Sequence, residues 1–360
     1  MEIKTISAEW LEAMHFPAFI VKDEQIIMIN TAAKRRLLDV DMRIADLICI
    51  GKTEYKSFKK GKLCLQISVA GLLYNATVAA YEEYQLFTLE SEYETPELQA
   101  LAKAAQALRE PLGNAIIGLD QIINQDKETQ AYTASTTEIS RSLHQMLRAI
   151  GNMTDAGLLN KHTPKKLYQD AIWIFDEILQ KAAAVAQKGK REFSYTLPKC
   201  SAMCNIDAEQ TERAVLNLIS NALKFSTPKS KVSAVLKVNK NTLSFTIENK
   251  SKELKPYIWA NLFNRFQQEP MIEDGRNGIG LGLSIARKVA HMHNGTLLLE
   301  QLKNKTIRIT MTFAIDTAPQ SIIPTLHSPI KLPIICANGM NNTLTELSDA
   351  LPSTLFDNRF

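Results

Sequence analysis

The chain has 360 residues, 45% apolar and 22% charged, which excludes disorder as its main state and leaves room for two or three domains. Forty-two Lys and Arg against 38 Asp and Glu give a net charge of +4, too thin a field over this length to indicate a nucleic-acid partner. The longest nearly apolar stretch, Val69 to Tyr81, contains Tyr74 and Asn75 and falls short of the roughly 20 residues of a spanning helix. The opening MEIKTISAEW has no signal-peptide core, so the expectation is a cytoplasmic protein without membrane insertion. Five scattered cysteines (Cys49, Cys64, Cys200, Cys204, Cys336) suit reduced thiols better than a disulfide framework.

Residues 1–92 alternate short apolar runs with polar breaks: FPAFIVKDE, QIIMIN, a helical AAKRRLL, then KLCLQISVA and YQLFTLE. β-Branched and aromatic residues bounded by Asp, Gly and Lys read as strands. Two strands, short helices and about three further strands, with Asn30 followed by the small Thr31, Ala32 and Ala33, resemble a PAS sensor domain. No haem or flavin is expected in it: His15 reads as a packed or surface side chain, and no flavin-reactive cysteine motif is present. Lys59, Lys60 and Lys62 read as a solvated hairpin face.

Beyond Pro96 the period changes. Leu98, Leu101, Ala105, Leu108, Leu112, Ala115, Leu119 and Ile122 recur at steps of three and four, and a second seam runs through Ile139, Leu143, Met146, Ile150, Met153 and Gly157. The polar stretch from Asn124 to Thr137 is the predicted connection, giving a helical hairpin over residues 94–163. Two arms cannot bury both stripes alone, so dimerisation into a four-helix bundle is expected; the alternative is a helix pair buried against its own chain.

From Lys166 the sequence predicts a helix (Leu167 to Ala186), a strand (Glu192 to Leu197), a helix (Glu209 to Leu223) and two strands (Lys231 to Val238, Thr242 to Asn249). A loop, a helix (Leu281 to His291) and closing strands (Gly295 to Glu300, Thr306 to Ile315) complete an α/β sandwich over 166–316. Residues 317–360 form a Pro-containing tail in which only Asn342 to Leu351 reads as helical, with Leu344, Leu347 and Leu351 on one face, expected to dock on the chain's own surface.

Two elements carry chemistry. Asn217, Asn221 and Lys224 stand four and three residues apart, so they share one helical face, followed by Phe225. Carboxamide oxygens ligate Mg²⁺, an ammonium meets phosphate oxygens, and an aromatic ring covers a base. In Asn277-Gly278-Ile279-Gly280-Leu281-Gly282-Leu283, alternate glycines lead into a helix, which suits close approach of backbone N–H groups to phosphate. This run does not open a βαβ unit, so a Rossmann assignment fails on context.

With these residues in order, the chain resembles the sensor histidine kinases and the wider GHKL ATPases. Asn217 to Phe225 resembles their N box, Leu262 to Phe266 their F box, Gly278 to Leu283 their G2 box, and His293-Asn294-Gly295 their turn after the following helix. The implied fold is multidomain α+β: a PAS-like domain, a hairpin dimerising to a four-helix bundle, and a GHKL (Bergerat-type) α/β sandwich. The resemblance implies ATP and Mg²⁺ as ligands, with Asn221 on the metal and Asn217 assisting. Lys224 would meet phosphate and Phe225 line the adenine, Gly278, Gly280, Leu281, Gly282 and Leu283 would form the phosphate loop, and Arg276 would stand in a lid over residues 267–277. The Glu that activates water in the chaperone and gyrase branches has no counterpart, because Asn217 occupies its place.

The departures are chemical. Where the family's phosphoacceptor box has its histidine and neighbouring acid, this chain has Gln106 and Ala107, and Glu110 stands where many relatives orient water. A carboxamide nitrogen has its lone pair delocalised into the carbonyl and is no nucleophile. The adenine-binding acid is replaced by Asn249, and Ser251 and Glu253 replace two glycines, which is expected to weaken nucleotide binding. The resulting expectation is a two-component signalling protein that binds ATP, has lost its own phosphoacceptor, and regulates a response regulator or another histidine kinase by shape. The rival expectations are an active kinase that phosphorylates a partner in trans and a nucleotide-free scaffold.

Overall fold

The computed structural model describes residues 8–14, 16–36, 38–81, 83–90, isolated positions between 105 and 119, 130–158, 164–251, 281–315 and 342–356. Gln106, Ala107, Glu110, the Leu262 to Phe266 box, Arg276, Gly278, Gly280, Glu253, His15 and residues 317–341 lie outside the described residues.

The N-terminal half contains helix α1 (Ala8–Glu12), strands β1 (Ala18–Lys22) and β2 (Gln25–Ile29), and short helices α2 (Thr31–Lys34), α3 (Ile44–Leu47) and α4 (Lys52–Ser57), with β3 (Ile48–Ile50) between the last two. Strands β4 (Lys62–Val69), β5 (Leu72–Ala80) and β6 (Gln85–Glu90) follow. Asn30 ties its opening together: the carboxamide oxygen accepts from Ala18 and Ala33 N–H at 3.1 and 2.8 Å, and the amide donates to the Leu11, Met14 and Phe16 carbonyls. That bonding caps α2 and fixes the turn out of β2, which is why a buried Asn is tolerated there. In the core Phe19 stacks on Phe87, and Tyr55 packs against Phe87 at a tilt of 60°.

Helix α5 (Gln130–Leu158) is the second arm of the predicted hairpin. It begins inside the stretch assigned to the connection, so Gln130 to Thr137 is helical rather than loop. Ser and Thr there cost only tenths of a kcal/mol each against Ala, too little to stop a 29-residue helix. Leu143 and Leu147 on α5 pack with Leu112 and Ile116 of the first arm, while Leu108, Ile139 and Met146 remain about half exposed.

The second half runs β7 (Leu167–Asp170), α6 (Ala171–Lys188), β8 (Phe193–Thr196), β9 (Met203–Ile206), α7 (Ala208–Phe225), β10 (Val232–Val238), β11 (Thr242–Lys250), α8 (Gly282–Met292), β12 (Leu297–Leu302) and β13 (Thr306–Ala314). The predicted helix from Leu167 is corrected at its start: Leu167–Asp170 is a strand paired with β9, itself missed. Asp170 ends it by accepting Ile172 N–H at 3.0 Å, an N-cap that sets the helix start at Ala171. The helices lie on the apolar face of β10 to β13, where Phe175, Phe245 and Phe313 meet at centroid distances of 5.5 and 5.7 Å. Helix α9 (Asn342–Leu347) and the turn after it dock on this half, with Leu347 and Leu351 of the predicted face buried and Leu344 half-buried; Phe356, outside that face, is buried as well.

The two halves share one sheet of 11 strands, ordered β2-β1-β6-β5-β4-β12-β13-β11-β10-β8, with β3 pairing β4 beside this path. The junction is antiparallel β4–β12, with Leu297 opposite Cys64, Leu298 opposite Leu63 and Leu299 opposite Lys62. Gly61 makes the approach possible: at φ +99° it turns into β4, and a Cβ there would sit 2.3 Å from the Leu299 carbonyl. Lys62 is therefore not on a solvated face, as its sequence neighbours suggest. It is 5% exposed at this junction, and burial pulls its pKa down to about 8.

Two side-chain contacts reinforce the junction. Arg287 of α8, 1% exposed, forms a two-pronged ion pair with Glu90 at the end of β6, one prong at 3.0 Å. His291, one turn further, meets Asn75 of β5 through Nδ1 at 3.0 Å, and Asn75 in turn accepts from Gln66.

Candidate functional site

The site assembles at the C-terminal part of α7. Asp207 caps this helix, accepting Gln210 N–H at 3.1 Å, and its own N–H donates to His293 Nε2 at 3.0 Å. His293 Nδ1 donates to the Val289 carbonyl at 2.8 Å, so the two partners define a neutral tautomer, and burial pulls this imidazole down to about 4. The turn that presents His293 needs Gly295, because a Cβ there would lie 1.7 Å from the Thr312 carbonyl. The His293-Asn294-Gly295 turn thus orients the helix that bears the polar face.

On that face the alternate-glycine helix comes down onto the two asparagines. A Cβ at Gly282, the first residue of α8, would stand 3.0 Å from Asn217 Oδ1 and 3.3 Å from Asn221 Nδ2. Residues 65 positions apart therefore meet with a glycine as the spacer. The start of α8 has no side-chain cap on its orphan N–H groups, a feature that suits an anion. Leu281 is buried in the core and Leu283 packs against it, so these two anchor the loop.

Lys224 is 7% exposed with its ammonium 5.3 Å from the Phe225 ring centroid, and Phe225 is 36% exposed. Thr227 N–H donates to the Lys250 carbonyl at 2.9 Å, tying the end of α7 to the end of β11 where Asn249 stands. Asn249 is 6% exposed, and its buried amide nitrogen has no hydrogen-bond partner among the described residues. An orphaned buried amide costs of order 1–3 kcal/mol.

Asn217 is engaged on both sides. It is fully buried, its Nδ2 donates to the Arg213 carbonyl at 3.0 Å, and its Oδ1 accepts from Arg148 of α5 at 3.2 Å. Asn221 is half-buried. No group of three or more His, Cys, Asp or Glu suited to a metal occurs among the described residues.

Sequence reasoning missed the charged cluster around Arg148. Arg148 pairs with Asp349 at 2.5 Å and lies 3.4 Å from Glu346, while Arg213 pairs with Asp155 and approaches Glu346 at 3.9 Å. A signal was available: Arg141, His144, Arg148 and Asn152 recur at steps of three and four, a polar stripe beside the apolar seam. His144 itself is buried, with Nδ1 2.9 Å from Thr345 Oγ1, and its ring packs on Phe356.

These features define a class of domain. Residues 206–316 match the family model of histidine kinase-, DNA gyrase B-, and HSP90-like ATPases, so this segment is a domain of that type. Among similar curated proteins, the sensor histidine kinase YvrG of Bacillus subtilis is 31% identical over 108 residues, 30% of this chain and 19% of that protein. The non-motile and phage-resistance protein of Caulobacter vibrioides is 25% identical over 309 residues, 78% of this chain and 35% of that protein. The chain spans between 15% and 35% of the length of such curated relatives. Among solved structures, full-length ShkA in complex with AMPPNP aligns at a TM-score of 0.49 with 19% identity, covering 62% of this chain and 47% of that one. Histidine kinase ThkA in complex with response regulator protein TrrA aligns at a TM-score of 0.40 with 13% identity, covering 86% and 98%. No helix among the described residues is long and apolar enough to cross a membrane.

Proposed function

We propose that this chain is a signalling protein of the histidine-kinase type that binds adenine nucleotide but does not phosphorylate itself. The observation that carries the nucleotide reading is the meeting of Asn217 and Asn221 with the uncapped, glycine-led start of α8. On this reading Asn221 ligates Mg²⁺, Lys224 faces phosphate, Phe225 lies against the base, and Gly278, Gly280 and Gly282 let backbone close on the phosphates. Asn249 offers a carboxamide to the adenine edge. Its unpartnered donor suits the ring nitrogen and its oxygen suits the exocyclic amine, so it complements both groups where a carboxylate takes only the amine.

Bound nucleotide supplies a transferable phosphoryl group, but Gln106 and Ala107 provide neither nucleophile nor proton acceptor in the first arm. The output is therefore conformational. Residues 1–92 serve as a PAS-like sensor, supported by the strand order β2-β1-β6-β5-β4 around a closed core. The half-exposed Leu108, Ile139 and Met146 support dimerisation of the hairpin, whose surface recruits a response regulator or a second histidine kinase in the cytoplasm.

Calorimetric titration with ATP in Mg²⁺ tests the nucleotide reading. Saturable binding, lost in Asn221→Ala, is expected; absence of binding in the unaltered chain refutes it.

A further inference from the structure

We propose that the C-terminal segment 342–356 is an autoinhibitory strap that holds the hairpin arm α5 on α7, so that Arg148 occupies the Asn217 oxygen and opposes Mg²⁺-nucleotide. The inference rests on the nucleotide reading above and adds a regulator to that site.

The strap lies across α5, α6 and α7. Leu347, Leu351 and Phe356 are buried in the core beneath it, and Gly189 at the end of α6 leaves room for it, since a Cβ there would be 2.9 Å from Leu351 Cδ2. Three polar contacts tie it to successive turns of α5: Arg141 Nε donates to the Ser348 carbonyl at 3.4 Å, His144 meets Thr345 at 2.9 Å, and Arg148 meets Asp349 at 2.5 Å. Helix α5 in turn lies close on α7, where a Cβ at Gly151 would be 2.6 Å from Arg213 Nη2.

Charge decides what the strap does. Arg148 is 5% exposed, and a buried guanidinium needs carboxylates to remain there. Both carboxylates near it come from the strap: Asp349, 14% exposed, and Glu346, 3% exposed. With Nη1 held by Asp349, the Nη2 of Arg148 points at Asn217 Oδ1, 3.2 Å away. A cation donating to this oxygen removes a candidate ligand from the metal and sets like charge against Mg²⁺. Strap docking and metal-nucleotide binding therefore compete, and linkage makes the competition reciprocal: what weakens one strengthens the other by the same factor.

The test uses the full chain. Arg148→Met keeps the volume and removes the cation, and Asp349→Asn with Glu346→Gln removes its holders. Mg²⁺-ATP affinity is measured by calorimetry, repeated with ATP in EDTA, and hydrogen exchange of residues 342–356 is followed with and without Mg²⁺-ATP. Expected are tighter Mg²⁺-ATP binding in Arg148→Met by about fivefold or more, little change in EDTA, and faster exchange of 342–356 in the unaltered chain when Mg²⁺-ATP is added. Equal affinities in the unaltered chain and Arg148→Met, with strap exchange indifferent to nucleotide, overturn the strap and leave the nucleotide reading standing. No binding to either protein overturns the nucleotide reading and the strap with it.

Discussion

Replacing Glu90 by Ala isolates the contact that joins the two halves of the molecule. Arg287 is 1% exposed in α8, and among the described residues Glu90 is its ion-pair partner, gripping it with both carboxylate oxygens. Removing one partner of a buried pair leaves an uncompensated charge and costs about 3–5 kcal/mol. Glu90 itself is 31% exposed, so water enters the gap and the lower end of that range, about 3 kcal/mol, is expected. Substituting both residues at once, Glu90→Ala with Arg287→Met, removes charge and partner together and is expected to cost less than about 1 kcal/mol relative to the unaltered chain. Chemical denaturation of Glu90→Ala, Arg287→Met and the double variant gives the coupling energy, and hydrogen exchange locates it. In Glu90→Ala the amides of β4 and β12 are expected to lose protection together, because the strand junction and the ion pair support one contact surface. A single-variant cost under about 1 kcal/mol, or a double variant as unstable as Glu90→Ala, refutes the reasoning.

Other consequences follow from burial and backbone geometry. Gly61→Ala places a Cβ 2.3 Å from the Leu299 carbonyl at a φ of +99°, so separation of β4 from β12 is expected, read as proteolytic cleavage between the halves in the variant alone. Burial pulls His144, His291 and His293 down to about 4, 3 and 4, whereas the unfolded chain protonates near 6.5. Their stabilising effect is complete above pH 6.5 and is lost as pH falls toward 4, about 1.4 kcal/mol per histidine at pH 5.5, measurable as a falling denaturation midpoint. Burial pushes Glu212 up to about 7, opposed by Lys181 of α6 and Asn342 of α9 and reinforced by Glu346 and Glu209. The folded chain then holds a proton that the unfolded chain releases above 4.5, so this group disfavours folding as pH rises from 4.5 through 7. Glu212→Gln is expected to stabilise by about 3 kcal/mol at pH 8 and by nothing at pH 4, and an equal effect at both values contradicts the assignment.

Local periodicity made most of the elements legible. The run from Val232 to Asn249 alternates cleanly because one face of its strands is buried, and α7 and α8 show their stripes because each packs one side on that face. Strand β9 was missed because Met203–Ile206 is only four residues long and its partner, Leu167–Asp170, merges in sequence with the helix it precedes. Within the site, Asn217, Asn221 and Gly282 were legible from fixed spacings that place them on one helix face and one helix start. Asn30 was read as a resemblance, but its five-way bonding depends on α1 lying alongside. The partners of Arg148, Arg287 and Lys62 were not legible, because each is set by a residue far away in sequence. Asp349 is 201 positions from Arg148, and Glu90 is 197 from Arg287. No local pattern distinguishes such a cation from a solvated one.

Incubation of the purified chain with γ-labelled ATP and Mg²⁺, followed by separation and treatment with acid or base, addresses the central proposal of a nucleotide-binding core without its own phosphoacceptor. Nucleotide retained by the protein with no covalent label on any residue is the predicted result. Acid-labile, base-stable label mapped to a histidine of the chain contradicts it.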